Sequence, residues 1–261
     1  MGNIQVISDL YSPKEKIQRT IRIYTPDSYN DRSDKRYPVL YMTDGQNIYS
    51  DYRSARWDTW CVNPTIERII AQHKLDREWI ICGIDHTVNR FNEYTPWPCP
   101  AMKVYEPAGG VFLETLTDLI MPWMKTHYKI LDGAQHTALA GSSLGGLISL
   151  FCGRERPDLI GRIGAFSPSL GWSDGKTYEH WQGARNGGQK IYLDMGSEEK
   201  YNRNGEEISA ADECRRFYDQ LIATGYHKDD VRLYIEEGGI HYETSWAKRF
   251  PVMCEWLLND R

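Results

Sequence analysis

The run Thr137-Ala138-Leu139-Ala140-Gly141-Ser142-Ser143-Leu144-Gly145-Gly146-Leu147-Ile148 constrains this chain more than any other stretch. It reads as a short apolar strand, a G-x-S-x-G turn and the start of an apolar helix. A serine so placed sits on a sharp, strained strand-to-helix corner. Glycines on either side remove side chains that would clash, and the serine oxygen is pushed out where a base can reach it. The helix after the turn aims its unpaired N–H groups at the same spot. The bland alternative is a Gly/Ser loop closing a βα unit and cradling a phosphate, but no G-K-[ST] or G-x-G-x-x-G supports it. The pattern predicts Ser143 as a nucleophile on an α/β scaffold.

The rest of the chain suits that scaffold. Its 261 residues allow one α/β domain with a sizeable core, so residues 1–261 are read as a single domain. Apolar spacing predicts strands at Ile4–Leu10, Ile17–Tyr24, Pro38–Met42, Trp79–Ile84, Leu159–Phe166, Lys190–Asp194 and Val231–Ile235. The first two pair as an antiparallel start, and the later ones alternate with helices. That order predicts a mostly parallel central sheet with helices on both faces. One helix runs through Phe112, Leu113, Leu116, Leu119, Ile120, Trp123 and Met124, with Pro122 expected to kink it. A second carries Cys214, Phe217, Tyr218, Leu221 and Ile222 and closes at Gly225; a last one carries Trp246, Phe250, Met253, Cys254 and Leu257.

Composition narrows the partners. The formal net charge is −5 with no basic block, which argues against nucleic acid and anionic membrane surfaces. No run approaches ~18 consecutive apolar residues, so no membrane span is expected. The N-terminus lacks a basic segment followed by an apolar one, so no leader is read there. The six cysteines (Cys61, Cys82, Cys99, Cys152, Cys214 and Cys254) form no C-x-x-C pair, so no metal site is read from them. Several lie on apolar stripes, as free thiols used as small core residues do, which predicts a reducing, cytoplasmic setting. Nothing in the chain implies a cofactor or fixes an oligomeric state.

An unassisted serine hydroxyl is a poor nucleophile, so Ser143 needs a base and the base an acid, in that spatial order and with the acid before the histidine in sequence. Three histidines come after Ser143. His241 stands in a loop, after Gly238-Gly239-Ile240, between an apolar strand and the last helix, at the edge where catalytic residues of open α/β sheets collect. His180 and His227 lie among polar neighbours and are read as solvated. Asp194, Glu198 and Glu199, at the end of the preceding strand, are the candidate acids, and spacing alone does not choose among them. For the oxyanion, the backbone N–H groups of Leu144, just after the serine, and of Gln46, in the loop after Val39–Met42, are the expected donors.

Taken together, these residues resemble the esterase D-like branch of the α/β-hydrolases, the Putative esterase family. The likeness rests on Tyr41-Met42-Thr43-Asp44-Gly45-Gln46-Asn47, Arg90 with Glu93-Tyr94-Thr95-Pro96, and Ala140 to Leu147. It continues through Phe166-Ser167-Pro168-Ser169-Leu170, Asp194-Met195-Gly196-Ser197-Glu198-Glu199 and Gly238-Gly239-Ile240-His241. The resemblance implies a single-domain α/β-hydrolase fold, Ser143 as nucleophile, His241 as base and Glu199 as acid. It also implies a cofactor-free serine esterase acting on a small, sugar-linked or siderophore-type ester. Where relatives often show Gly-Gly-His-Asp, this chain has Gly239-Ile240-His241-Tyr242.

Aromatic residues make up 12% of the chain, and Tyr94 and Trp172, with Arg90, are candidate substrate-binding residues. The competing reading is loop packing, with Arg90 in a structural ion pair. Two other functions compete with this reading. An acyltransferase differs only in which nucleophile the pocket admits, and a non-catalytic binding module would have lost the serine or histidine.

Overall fold

The computed structural model describes residues 2–30, 34–50, 58–183 and 188–260. In chain order its elements begin with β1 (Asn3–Ser12), β2 (Ile17–Thr25), β3 (Val39–Thr43), α1 (Val62–Ala71), β4 (Ile80–Ile84) and α2 (Arg90–Glu93). A long helix comes next, made of α3 (Gly109–Thr115), a π turn (Leu116–Ile120) and α4 (Met121–His127). After it stand β5 (Thr137–Ser142), α5 (Leu144–Glu155), β6 (Arg162–Phe166), α6 (Lys176–His180) and β7 (Lys190–Gly196). The chain then forms β8 (Lys200–Arg203), β9 (Glu206–Ser209), α7 (Ala210–Ala223), β10 (Val231–Glu236) and α8 (Glu243–Leu257).

Eight strands form one sheet in the order β1-β2-β4-β3-β5-β6-β7-β10. The pairs β1/β2 and β2/β4 are antiparallel, and the remaining neighbours are parallel. Every residue of β3, β4 and β6 is buried, as a sheet covered on both faces requires. The period of two divides these strands between two cores. Val39, Tyr41, Ile80, Cys82 and Leu139 join one core with Phe112, Leu147 and Phe217, from α3, α5 and α7. Leu40, Met42, Ile81, Ala138 and Ala140 join the other with Ile66 and Ile69 of α1 and Phe250 and Met253 of α8. This is the fold class predicted from the alternation of strands and helices.

One crossover positions the site. After β3 the chain moves outward to β4, then returns past β3 to enter β5. Connections from the carboxyl ends of β3 and β5 thus leave in opposite directions, which opens the crevice where open α/β sheets bind ligands.

Several elements differ in detail from expectation. The disturbance expected of Pro122 takes the form of a π turn, which shifts the hydrogen-bond register so that the proline falls in the first turn of α4. The strand expected over Leu159–Phe166 begins only at Arg162. The Arg162 side chain donates to Gln135 O at 2.8 Å and to Leu257 O at 2.6 Å, tying the strand's start to the end of α8. The β8–β9 hairpin is not among the expected strands. Its turn is Asn204-Gly205, both at positive φ (55° and 91°), and an Asn-Gly pair is the sequence signal that marks it.

All six cysteines are free, five of them buried and Cys61 partly so. Without reductant, the denatured protein should therefore titrate six thiols, and in the native state Cys61 should react first. Fewer than six in denaturant, with paired masses in a non-reduced digest, would contradict this.

Candidate active site

β5 ends at Ser142, and Ser143 turns the chain into α5 with φ 59° and ψ −122°. That region is sparsely populated for a residue with a side chain and costs roughly 1–3 kcal/mol unless the surroundings enforce it. Here they do. The Ser143 N–H donates to Phe166 O at 2.9 Å, and its carbonyl accepts from Leu147 N–H at 3.1 Å and Ser169 N–H at 3.2 Å. The flanking glycines have a shared cause. A Cβ on Gly141 or on Gly145 would overlap the Thr43 hydroxyl, which projects from the end of β3 into the space both leave. Glycine is needed twice because three elements meet at one side chain.

His241 and Glu199 are brought together by a second close approach. A Cβ on Gly196, the last residue of β7, would overlap the Gly239 carbonyl, so the loops after β7 and β10 lie in contact. Glu198 N–H donates to Gly239 O at 3.1 Å, Ser197 N–H to Glu236 O at 2.9 Å, and Gly238 N–H to Ser197 Oγ at 2.9 Å. With the loops so joined, His241 Nδ1 lies 2.6 Å from Glu199 Oε2. Of the three carboxylates left open by spacing, Glu199 alone meets the imidazole. Glu198 is exposed, with its carboxylate on the Ser197 hydroxyl. Asp194 is wholly buried within β7.

The other Glu199 oxygen accepts from Ser167 Oγ at 2.6 Å, Gly196 N–H at 2.8 Å and Arg249 Nη2 at 3.3 Å. Burial pushes this carboxyl up, but the bonds from His241 and Ser167 outweigh it and hold the group below its ordinary range. Arg249 is itself 1% exposed and also donates to Asp194 Oδ1 at 2.9 Å. Trp246 Nε1 donates to Ser167 Oγ at 3.0 Å, and its ring meets the His241 ring edge-on at 5.1 Å. Asp194 has the opposite fate from Glu199. Burial pushes it up to about 7 against the pull of Arg249 and the Ser167 N–H.

Ser167, Trp246 and Arg249 are members of this network to which sequence reasoning assigns no role. Arg249 lies three residues after Trp246 on the face of α8 that packs inward, and a charge on an apolar stripe is the signal that singles it out.

Across the crevice, Leu144 is the first residue of α5, where backbone N–H groups have no helical partner. The loop after β3 is folded tightly. Asp44 is left-handed at φ 55°, its N–H donates to the Tyr94 hydroxyl at 3.0 Å, and its carboxylate takes two bonds from Arg90, at 2.6 and 2.8 Å. The Gln46 side chain is clamped on His86, accepting its N–H at 3.1 Å.

These contacts place two of the three candidate substrate-binding residues elsewhere. Tyr94 is 0% exposed in the core, and Arg90 is bound to Asp44, so both build the loop that carries Gln46. Neither lines the cavity beside Ser143. Trp172 does line it and is stacked on Phe91 at 5.9 Å. His180, expected to be solvated, instead packs against Phe151 and Trp97 at 5.2 and 5.3 Å, and burial lowers its pKa. His227 is exposed as expected.

The cavity measures about 600 Å³, and its walls include Ser143, His241, Trp172, Met195, Tyr201 and Arg203. Among the described residues, no group of three His, Cys, Asp or Glu side chains is arranged to hold a metal ion. No helix among them is long and apolar enough to cross a membrane.

The Putative esterase family profile matches residues 12–257. The chain belongs to this family. By that membership it is a carboxylic-ester hydrolase. This esterase is 26% identical over 243 residues to the Uncharacterized protein YbbA of Bacillus subtilis (strain 168), with 92% of each chain covered. Its structure is similar to that of the CE1 ferulic acid esterase AmCE1/Fae1A of Anaeromyces mucronatus, with TM-score 0.73, 21% identity, and 98% and 91% of the two chains covered. It is also similar to the siderophore hydrolase EstA of Aspergillus nidulans, with TM-score 0.74, 17% identity, and 97% and 94% covered. At these identities the structural likeness establishes the α/β-hydrolase fold.

The esterase's packing generates two expected outcomes. Gly145→Ala should lose roughly 1–3 kcal/mol of stability through overlap with Thr43. Adding Thr43→Ala should restore a good part of it, with a coupling of about 1 kcal/mol or more in urea-melt double-mutant cycles. Purely additive losses would reject the shared cause.

The second concerns Asp194, whose pKa is about 7 in the fold and ~3.9 in the unfolded chain. Between those values the native state holds the extra proton. The group's contribution to stability is therefore full below about pH 4 and lost as pH rises to 7. Asp194→Asn should make stability less steeply falling between pH 5 and 7 than in the wild type. An equal change in stability between pH 5 and 7 in the two proteins, read from urea melts at each pH, would contradict this.

Proposed function

We propose that this esterase works through an acyl-enzyme on Ser143, with His241 as base, Glu199 as acid, and the Leu144 and Gln46 N–H groups as oxyanion donors. The observation that carries the reading is the Glu199–His241 pair at 2.6 Å, opening on the same cavity as a serine held at a strained elbow. Ser143 Oγ attacks the ester carbonyl while His241 takes its proton, and the tetrahedral oxyanion is held by the two N–H groups. Collapse expels the alcohol, which receives the proton from His241. Water, activated by the same imidazole, then releases the acid. The Ser143 hydroxyl is paired with Ser169 Oγ at 3.4 Å. Its bond to the imidazole forms with substrate, as catalytic hydrogen bonds often tighten only in the complex.

Glu199 keeps the Nδ1 proton in place and stabilises the imidazolium. The bonds it accepts from His241, Ser167, Gly196 and Arg249 suit it to this task, because they hold it ionised despite its burial. The cavity admits a small ester with a flat portion against Trp172, which agrees with the ferulic acid esterase and siderophore hydrolase among the structural neighbours. We place the reaction in a reducing compartment, the cytoplasm, because five of the six free thiols are core residues. Residues 1–261 act as one catalytic domain.

Ser143→Ala and His241→Ala should each lower kcat on a short activated ester by roughly 10⁴-fold or more, and the double variant should be little worse than either. Glu199→Gln should lose roughly 10²–10⁴-fold, with Glu198→Gln near wild type. Labelling of the Ser143 peptide by a fluorophosphonate gives an independent check. More than about a tenth of wild-type rate in Ser143→Ala would sink the mechanism.

A further inference from the structure

The β8–β9 hairpin takes no part in the acyl-enzyme chemistry, yet it walls the cavity on the side of Tyr201 and Arg203. Its side chains are held in place. The Tyr201 hydroxyl donates to Glu213 Oε2, and Arg203 Nη2 donates to the Tyr201 oxygen at 2.6 Å and to Glu213 Oε1 at 3.0 Å. Glu213, on α7, is 2% exposed and also takes a bond from Arg216 Nη2 at 3.1 Å. One buried carboxylate therefore faces two guanidinium groups, which leaves a surplus positive charge. The Arg203 guanidinium lies over the Tyr201 ring at 5.4 Å, its Nε and Nη1 donate no hydrogen bond among the described residues, and the side chain stays 32% exposed. In a chain of net charge −5, this is a fixed cation on the wall of the cavity.

The segment that leads into Trp172 is shaped to admit it. A Cβ on Gly171 would overlap both the Tyr201 hydroxyl and Arg203 Nη2. Gly171 directly precedes Trp172, so the bare backbone there lets the Tyr201–Arg203 pair close against the segment that carries the aromatic wall. A guanidinium with unused donors beside a stacked indole suits a flat molecule bearing a carboxylate, which can take a charge-assisted bond from Nη1 or Nε. The tie to Tyr201 and Glu213 is made by Nη2 alone, and it leaves Nε and Nη1 as donors for a further acceptor.

We propose that Arg203, oriented by Tyr201 and Glu213, is a subsite for a carboxylate on the substrate, so that the preferred substrates are esters with a flat, carboxylate-bearing body. The proposal rests on the reading of this cavity as the ester site.

The test compares two pairs of esters that differ in a para carboxylate against a para methyl group. Monomethyl terephthalate against methyl 4-methylbenzoate puts the charge on the acyl side, and 4-acetoxybenzoate against 4-methylphenyl acetate puts it on the alcohol side. In at least one pair the wild type should favour the carboxylate ester in kcat/KM. Arg203→Met should reduce that preference about 10–100-fold, the worth of a charge-assisted bond. Arg203→Lys, which keeps the charge without the fork, should fall between. Gly171→Ala, which displaces the pair while leaving the charge, should also reduce the preference.

Binding is read separately from turnover. Monomethyl terephthalate and 4-acetoxybenzoate are each titrated calorimetrically against Ser143→Ala with and without Arg203→Met, and in the preferred pair the second substitution should weaken binding by a similar factor. Thermal melts identify any variant that has not folded, in which case Arg203→Lys and Gly171→Ala decide. A preference and an affinity unchanged by Arg203→Met in folded protein would overturn the subsite. Hydrolysis persisting in Ser143→Ala would instead overturn the acyl-enzyme mechanism, while the binding arm still decides the role of Arg203.

Discussion

The Thr43 side chain is the contact on which the site depends. It fills the space left by both Gly141 and Gly145, and it stands one residue beyond the Met42/Ala140 register pair of β3 and β5. Slipping that register by one residue would put a different side chain between the two glycines and exchange the residues that β3 gives to the two cores. The same register that builds the two cores therefore sets how closely α5 begins beside β3. It also sets where the loop carrying Asp44 and Gln46 leaves the sheet. Strain at Ser143 persists because its N–H and its carbonyl are both engaged by neighbours on β6, on α5 and in the loop after β6.

A second constraint is electrostatic. Arg249 is a buried cation with three carboxylates around it: Asp194 at 2.9 Å, Glu199 at 3.3 Å and Glu236 at 3.3 Å. One cation does not serve three anions equally in a low dielectric. The donors decide the division. Glu199 collects the imidazole, the Ser167 hydroxyl and the Gly196 N–H besides Arg249, and is held ionised. Asp194 has Arg249 and the Ser167 N–H but lies deeper, and is driven toward its protonated form. Two acids five positions apart on one segment are thus shifted in opposite directions, Asp194 up by burial and Glu199 down by the bonds it accepts. Ser167, left-handed at φ 41°, touches both and turns its hydroxyl to Glu199 and its N–H to Asp194.

How much is legible in the sequence depends on which interactions are local. The elbow announces itself because strand, turn and helix are contiguous, and the sheet is legible in apolar runs such as Ile80–Ile84 that need both faces covered. His241 is marked by its position between a strand and a helix. Spacing does not choose Glu199 over Asp194 and Glu198, because the choice depends on the Gly196–Gly239 contact, between residues far apart in the chain. Arg90 and Tyr94 read as substrate contacts because an arginine near a tyrosine in a loop looks the same whether it faces a ligand or, as here, an aspartate on another strand's loop. His180 misleads for a similar reason: its sequence neighbours are polar, but its spatial neighbours Phe151 and Trp97 are not.

The hairpin shows how such a fold can change its pocket without disturbing its chemistry. Lys200 comes directly after Glu199, and the Ala210 N–H returns to donate to the Glu199 carbonyl at 3.0 Å. Residues 200–209 therefore form a loop closed on the backbone of the residue that holds His241. The carboxylate of Glu199 is fixed by Ser167, Arg249 and Gly196, none of which belongs to the hairpin. The side chains of Tyr201 and Arg203 are held apart from that network, because their support, Glu213, lies on α7. Position relative to the imidazole comes from the loop's closure, and chemical character comes from its sequence. A change from Arg203 to an apolar residue alters the wall of the cavity, while the 2.6 Å contact between His241 and Glu199 is kept by other elements.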